Sequence, residues 1–240
     1  MLRRPLVIGV AAFSALVLLA TGGAYAYYFT GLRSVPVPLS LSSFGSNGSN
    51  ANTSVDGLVG RWTVTSGSLA GYRVKEELVG VTAKHEAVAR TSDVTGELTV
   101  RPGSSGLQVN GLRFVVQLSS LQSVDAVAGH NVTNRDRAVG RALDIQQFPE
   151  AVFAASTLAV PARIARGETA GVTLPGTFTV HGVTRPARAI AQVRAAGGQV
   201  QAAGSIAFDM TQFGVIPPHV PFAQSDAQVT VDFHLFLSRA

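Results

Sequence analysis

Beyond residue 57 the apolar positions of this chain recur at every second residue. Between residues 228 and 237, Val229, Val231, Phe233, Leu235 and Leu237 share one face, and Gln228, Thr230, Asp232 and His234 share the other. Leu112, Phe114, Val116 and Leu118 alternate with Arg113, Val115 and Gln117. The same rhythm groups Val200, Ala202, Gly204, Ile206 and Phe208, and sets Ala187, Ala189, Ala191 and Val193 against Arg188, Ile190, Gln192 and Arg194. Gly176, Phe178 and Val180 likewise oppose Thr177, Thr179 and His181. A two-residue period belongs to strands with one face on an apolar space and the other on water. Turn signals part the runs: Arg101-Pro102-Gly103, the corner from His181 to Pro186, and the hairpin signal Ala196-Gly197-Gly198-Gln199. Many short half-polar strands with tight turns predict an all-β fold, an antiparallel sandwich or barrel. No repeat of fixed period is present, which argues against a propeller or solenoid.

The alternation stops between Ser119 and Gln147. Asn134 is placed to cap a helix from Arg135 to about Leu143, with Asp136 favourably in its first turn. Gln147-Phe148-Pro149 is expected to end it. A long strand-free excursion in a compact domain is usually functional, and here it is expected to plug or line the mouth of a barrel.

The N-terminus follows a third pattern. Arg3 and Arg4 precede an apolar stretch that starts at Leu6 and runs on to Tyr25, Tyr27, Tyr28 and Phe29. That is enough for a transmembrane helix, which takes ~20 apolar residues. The aromatics fit an interfacial belt and the arginines a cytoplasmic flank. Ala24-Tyr25-Ala26 also fits a signal-peptide cleavage site, although the apolar core exceeds the ~7–15 residues usual there. Both readings put the folded part outside the cytoplasm. Residues 31–57 are rich in Ser, Asn, Gly and Pro, a composition that predicts a flexible linker. At ~5–6 Å times the square root of residue number it would span roughly 25–30 Å. The expected plan is therefore 1–30 transmembrane anchor or signal peptide, 31–57 linker, and 58–240 barrel domain.

The chain has 240 residues, a net charge of +5 and no cysteine. Such a domain buries a sufficient core without disulfides, and thiol nucleophiles, redox pairs and cysteine-ligated zinc are excluded. Its arginines are scattered, without the basic run or aromatic interleaving of a nucleic-acid surface. No nucleic-acid partner is expected; a solvated basic surface or attraction to anionic lipid remains. The five histidines lie far apart in sequence and none has the i, i+4 spacing of a helical zinc site. No nucleophile elbow, Walker loop or dinucleotide glycine pattern occurs. No catalytic, metal or cofactor site is therefore expected.

Three groups are candidates for binding. Arg135 and Asp136 form either an internal ion pair that pins the helix or a lipid-headgroup contact, since Arg suits bidentate oxygen recognition. His181 is either a turn residue bonded to nearby backbone or a polar group at the barrel rim. The inward aromatics Phe114, Phe153, Phe178, Phe208 and Phe233 either fill a core or line a cavity. Small residues on the same faces (Gly176, Ala187, Ala189, Ala191, Ala202 and Gly204) favour a cavity. A barrel of about eight strands can hold one slender ligand.

Four stretches together resemble the YceI-like family, exported lipocalin-like barrels that bind polyisoprenoids or other long-chain lipids. They are Trp62-Thr63-Val64 leading to Gly67-Ser68; Phe114 through Leu121; Arg135-Asp136 through Phe148-Pro149 to Phe153; and Gly176 through Pro186, which contains Val180-His181-Gly182-Val183-Thr184-Arg185. The resemblance spans residues 58 to about 237. The chain departs from the family at Met210-Thr211-Gln212-Phe213-Gly214, where many members have Arg-x-Asp-Phe-Gly, and at Ser68, where many have His. Both departures remove polar groups.

The resemblance implies an antiparallel lipocalin-like β-barrel with one short helical insertion. It implies ligand contacts at Phe114, Val116, Arg135, Asp136, Phe153, Phe178, Val180, His181, Phe208, Phe213 and Phe233. The expected function is extracytoplasmic binding, transport or sequestration of a long-chain isoprenoid or related lipid, without a cofactor. The membrane, through the N-terminal helix, and a second copy of the chain are further candidate partners. Two competing expectations are an enzyme on a lipid or cell-envelope precursor, with His181 or Asp136 as acid or base, and an interaction module with a filled barrel.

Overall fold

A computed structural model describes residues 17–19, 21, 33–42, 55–79, 84–104, 106–127, 131–220 and 223–240. In chain order the elements are β1 (Arg33–Ser34), α1 (Val55–Leu58), β2 (Gly60–Val64), β3 (Leu69–Leu78), β4 (His85–Thr91), β5 (Val94–Gly103), β6 (Gly106–Gln117), β7 (Gln122–Ser123), β8 (Ala126–Val127), α2 (Thr133–Ala142), β9 (Glu150–Ala159), α3 (Ala162–Ala165), β10 (Ala170–Val180), β11 (Val183–Ala196), β12 (Gln199–Asp209), β13 (His219–Val220) and β14 (Ala223–Arg239). Short 3₁₀ turns cover Leu118–Ser120 and Met210–Phe213.

β2 continues into β3, and β4 into β5, across short kinks. The result is eight long strands, each antiparallel to its neighbours. β14 closes the ring, pairing β12 along one edge and β2 and β3 along the other. Closure leaves no free edge in the main wall. The hairpins follow the turn chemistry of the sequence. β10 and β11 meet through His181 and Gly182, with φ of 52° and 71°. β11 and β12 meet through Gly197 and Gly198, with φ of 58° and 78°. Two central residues at positive φ make the turn that matches the right-handed twist of paired strands.

The alternation resolves as inside against outside. Val231, Phe233, Leu235 and Leu237 of β14 face the interior, as do Leu112, Phe114 and Val116 of β6. One end of the barrel is floored by α1, α3 and Trp62, whose Nε1 donates to the Leu58 carbonyl at 2.9 Å. The opposite end carries α2, the His181–Gly182 turn and the loops after β3 and β12.

Two expectations need correction. Helix α2 starts at Thr133, two residues before the expected Arg135, with Val132 rather than Asn134 at its N-cap. The Asn131 Oδ1 accepts from the Thr133 amide at 3.1 Å and its hydroxyl at 2.6 Å. Asn134 already lies within the first turn, where its side chain accepts from Arg137. Its far end falls as expected, with Ala142 the last helical residue and Leu143 the C-cap, after which Asp144 adopts a left-handed φ of 45°.

Part of the expected linker is a strap on the barrel. β1 pairs with β8, and residues 35–42 then cross the outer wall. Arg73 donates to the Pro36 carbonyl at 2.6 Å, and the Leu39 amide donates to Asp232 at 3.1 Å. Arg90 donates to the Val37 carbonyl. Arg194 donates to the Ser42 carbonyl at 2.7 Å. The outer face of β14 and its neighbours is consequently not simply wet: Arg73, Gln201, Asp232 and His234 are all buried. Composition alone cannot register this, because the strap is held by its backbone groups.

The expected membrane span over 1–30 lies outside the described residues except for residues 17–19 and 21, which are helical. Among the described residues no helix is long and apolar enough to cross a membrane.

Candidate functional site

The barrel interior holds two adjoining cavities. The larger, of about 150 Å³, reaches from the floor residues Leu58, Trp62 and Ile164 up to Phe178, Ile206 and Val231. All the residues that line it are apolar. The smaller, of about 100 Å³, lies beneath α2 between Tyr72, Val139, Leu143, Phe208 and Val229. Ala151, Phe178 and Val231 line both and form the partition between them. The barrel is therefore not packed solid. An apolar cavity of about 150 Å³ stays dry and accepts a benzene-sized guest, so water is a poor occupant here.

The inward aromatics divide accordingly. Phe114, Val116, Phe153, Phe178 and Phe233 line the larger cavity. Val180 and Phe208 line the smaller, which Phe178 shares. Phe213 lines neither. It is buried in a three-ring cluster, 5.8 Å from Phe178 and 5.1 Å from Phe208 between centroids. Phe178 and Phe208 are themselves 5.2 Å apart. Edge-on contacts at these distances make the cluster a firm base for the partition.

Arg135 and Asp136 act as a pin. The guanidinium of Arg135 binds Glu76 at 2.6 Å and Asp125 at 2.7 Å, and Nη1 also reaches the Ser123 hydroxyl at 3.2 Å. With Nε and Nη2 both on Glu76 and Nη2 also on Asp125, its five N–H groups are used within the protein. Asp136 accepts from the Ser123 amide at 3.1 Å and hydroxyl at 2.6 Å. His85 adds a 2.7 Å contact to Asp125. Helix α2 is thus tied to β3, to β4 and to the β7–β8 segment. The reading of these two residues as an internal pin describes the geometry. Arg135 also lines the smaller cavity and Asp136 the groove along α2, with their polar atoms engaged within the protein.

The electrostatics follow from this packing. Burial alone would push the Asp125 carboxyl up, but hydrogen bonds from His85 and Arg135 outweigh it and hold the group well below the usual carboxylate range. Burial also opposes the Arg135 charge, and Asp125 and Glu76 more than restore it. The Tyr72 phenol is pushed well above its ordinary value by burial.

His181 lies at the hairpin tip, outside both cavities. Its Nδ1 is 3.1 Å from the Phe213 carbonyl, and its ring meets Phe148 edge-on at 5.3 Å. It is a turn residue bonded to nearby backbone, and it seats the Phe148-Pro149 segment that follows the helix.

Sequence reasoning missed several groups. Trp62, Leu98, Val109, Leu174 and Val193 line the larger cavity; all were available from strand alternation carried through β2, β5, β6, β10 and β11. Tyr72, Glu76, His85 and Asp125 carry no local signal, because the fold collects them from β3, β4 and the β7–β8 segment.

A closed antiparallel barrel with an apolar interior and a pinned helix over one mouth defines a lipocalin-like barrel. The match to known proteins agrees with that class. The chain belongs to the YceI-like family, whose domain model matches residues 62–237. Among solved structures, a polyisoprenoid-binding domain from Saccharophagus degradans is 15% identical, with a TM-score of 0.51 over 75% of this chain and 98% of that one. BcnA from Burkholderia cenocepacia is 14% identical, with a TM-score of 0.47 over 70% and 95%. The YCEI protein of Campylobacter jejuni is 11% identical, with a TM-score of 0.43 over 62% and 82%. No curated protein matches the chain.

Proposed function

We propose that this protein holds an isoprenoid or related long-chain lipid in its barrel, outside the cytoplasm, and shields or carries it beside a membrane. The observation that carries the reading is the larger cavity, lined only by apolar side chains. An apolar chain entering it gains ~0.8 kcal/mol per methylene removed from water, less the cost of association. The Saccharophagus degradans neighbour, described as polyisoprenoid-binding, supports the ligand class. We read the protein as a binder and not an enzyme. The two acid–base candidates are committed elsewhere, His181 to the Phe213 carbonyl and Asp136 to Ser123.

The N-terminal apolar stretch would serve as the tether. The chain from Phe29 to Arg33 spans at most about 14 Å, at ~3.3–3.6 Å per residue. Arg33 pairs with β8 on the α2 side of the barrel. A retained anchor therefore turns the helix-covered mouth towards the bilayer. Val79 and Ile216, 68% and 82% exposed, lie on loops of that same end. Proteinase protection of the full chain in membrane vesicles tests the tether.

Lipid binding is tested with Trp62, the single tryptophan, which lines the cavity. Organic extracts of native protein should contain an isoprenoid or long-chain lipid by mass spectrometry. Added polyprenol should shift Trp62 emission. Ala202→Phe, which grows a ring into the lumen, should weaken that response at least tenfold with the barrel spectrum retained. A lipid-free native protein whose Trp62 ignores polyprenol would overturn the reading.

A further inference from the structure

At the edge of the apolar interior, beside Arg135 and Ser225, the Tyr72 hydroxyl is buried without a partner among the described residues. Tyr72 on β3 lines the smaller cavity together with Phe178, Phe208 and Val231. It also lines an outer groove along α2, together with Val139, Leu143 and Ile145. Val139 and Leu143 border both spaces as well. Tyr72 therefore stands at the boundary between lumen and groove, under the helix. Its hydroxyl is buried and has no hydrogen-bond partner among the described residues. Buried hydroxyls are ordinarily bonded, and an exception calls for an explanation.

Resting on the lipid-binding reading above, we propose that the Tyr72 hydroxyl marks a headgroup subsite for a neutral oxygen, the hydroxyl or carbonyl end of an isoprenoid. The tail then runs past Phe178 towards Trp62. The charges around the subsite decide its sign. Arg135 is the cation beside Tyr72, and its five N–H groups are spent on Glu76, Asp125 and Ser123. The groove that Tyr72 lines adds Arg137 and Arg141 as well as Asp136 and Asp144, so that with Glu76 and Asp125 four carboxylates stand against three guanidiniums. A phosphate or carboxylate head would enter a region of net negative charge with no free donor from Arg135. A neutral head meets no such opposition and satisfies the phenol. Burial raises the phenol's pKa, so it remains a neutral donor at physiological pH.

The test uses full-length protein in phospholipid nanodiscs, wild type and Tyr72→Phe. Each is titrated with geranylgeraniol, geranylgeranyl phosphate and the matching hydrocarbon without oxygen, read by Trp62 emission. The wild type should bind the alcohol more tightly than the hydrocarbon or the phosphate. Tyr72→Phe should weaken the alcohol about five- to tenfold, the worth of one net hydrogen bond, and leave the hydrocarbon unchanged. Unliganded Tyr72→Phe should be at least as stable as the wild type, because it loses an unpaired hydroxyl; a merely structural role would lower its stability. Equal affinity for alcohol and hydrocarbon, or tighter binding of the phosphate, overturns the subsite while the lipid reading stands. No response to any of the three overturns both.

Discussion

Replacing Arg135 with methionine keeps an unbranched apolar stem and deletes the cation that holds the mouth helix. The side chains of Glu76 and Asp125 are 3% and 0% exposed beside it. Asp125 would retain His85 and the Val88 amide, at 2.7 and 3.0 Å. Glu76 makes its hydrogen bonds to Arg135 alone among the described residues, so it would be left charged, buried and unpaired. Breaking a buried pair in this way costs about 3–5 kcal/mol, a large part of the ~5–15 kcal/mol that holds a typical domain. Urea unfolding followed by circular dichroism should show that loss at pH 7. The loss should shrink in acid. Asp125 titrates below its unfolded value of about 3.9. Its stabilising contribution is therefore full above about pH 4 and disappears as pH falls through the folded-state value. In Arg135→Met the Asp125 carboxyl loses one of the hydrogen bonds that hold it low and protonates more readily, and the two stability curves converge on acidification. Adding Glu76→Gln should recover part of the deficit at pH 7. A deficit under about 1 kcal/mol, or one that widens in acid, would refute the pin.

Three further outcomes follow from the same geometry. Gly182→Ala puts a Cβ 2.5 Å from the Phe148 ring at a φ of 71°, and should cost about 1–3 kcal/mol in urea unfolding. Arg73→Met removes the guanidinium that joins Asp232 at 3.2 Å to the Pro36 carbonyl at 2.6 Å. It should lower stability by about 3–5 kcal/mol and speed proteolytic cutting within residues 33–42. Phe178→Leu shrinks the partition between the two cavities, at about 1–2 kcal/mol of stability. It should tighten Trp62-detected binding of long prenols relative to short ones, and equal effects on both would count against a partition at Phe178.

The barrel wall was legible because its information is local. Val231, Phe233, Leu235 and Leu237 announce an inward face by alternation, and Gly197-Gly198 announces a turn by its backbone freedom. The Arg135–Asp136 pair was legible as a feature but not as a role, since its partners Glu76, Ser123 and Asp125 are brought to it only by the fold. The strap over residues 33–42 was misread for a related reason. Its side chains are those of a flexible segment, yet its Pro36, Val37 and Ser42 carbonyls are held by Arg73, Arg90 and Arg194 on strands far away in sequence. Tyr72 was passed over because its neighbours on β3 include Arg73, Lys75 and Glu76, which obscure the alternation there.

The strap and the lumen constrain one another through the two-residue period. Tyr72 and Phe233 face inward, while Arg73, Asp232 and His234 point outward, and Ala202 faces inward beside outward Gln201. A one-residue slip in β3, β12 or β14 would turn buried charges into the apolar lumen and strip the strap of its partners. Register is thus fixed from both faces of the wall. Trp62 and Tyr72 stand ten residues apart on one kinked strand, about 20–25 Å along the barrel at ~3.3 Å per residue and a ~40° tilt. Over that depth every residue lining the larger cavity is apolar, and polarity enters at the α2 end, where Tyr72, Arg135 and Ser225 line the smaller cavity. Such a lumen discriminates by length along its axis and by chemistry at its mouth. A guest with an oily tail and a single neutral oxygen satisfies both conditions, whereas a shorter guest leaves the floor at Trp62 unfilled.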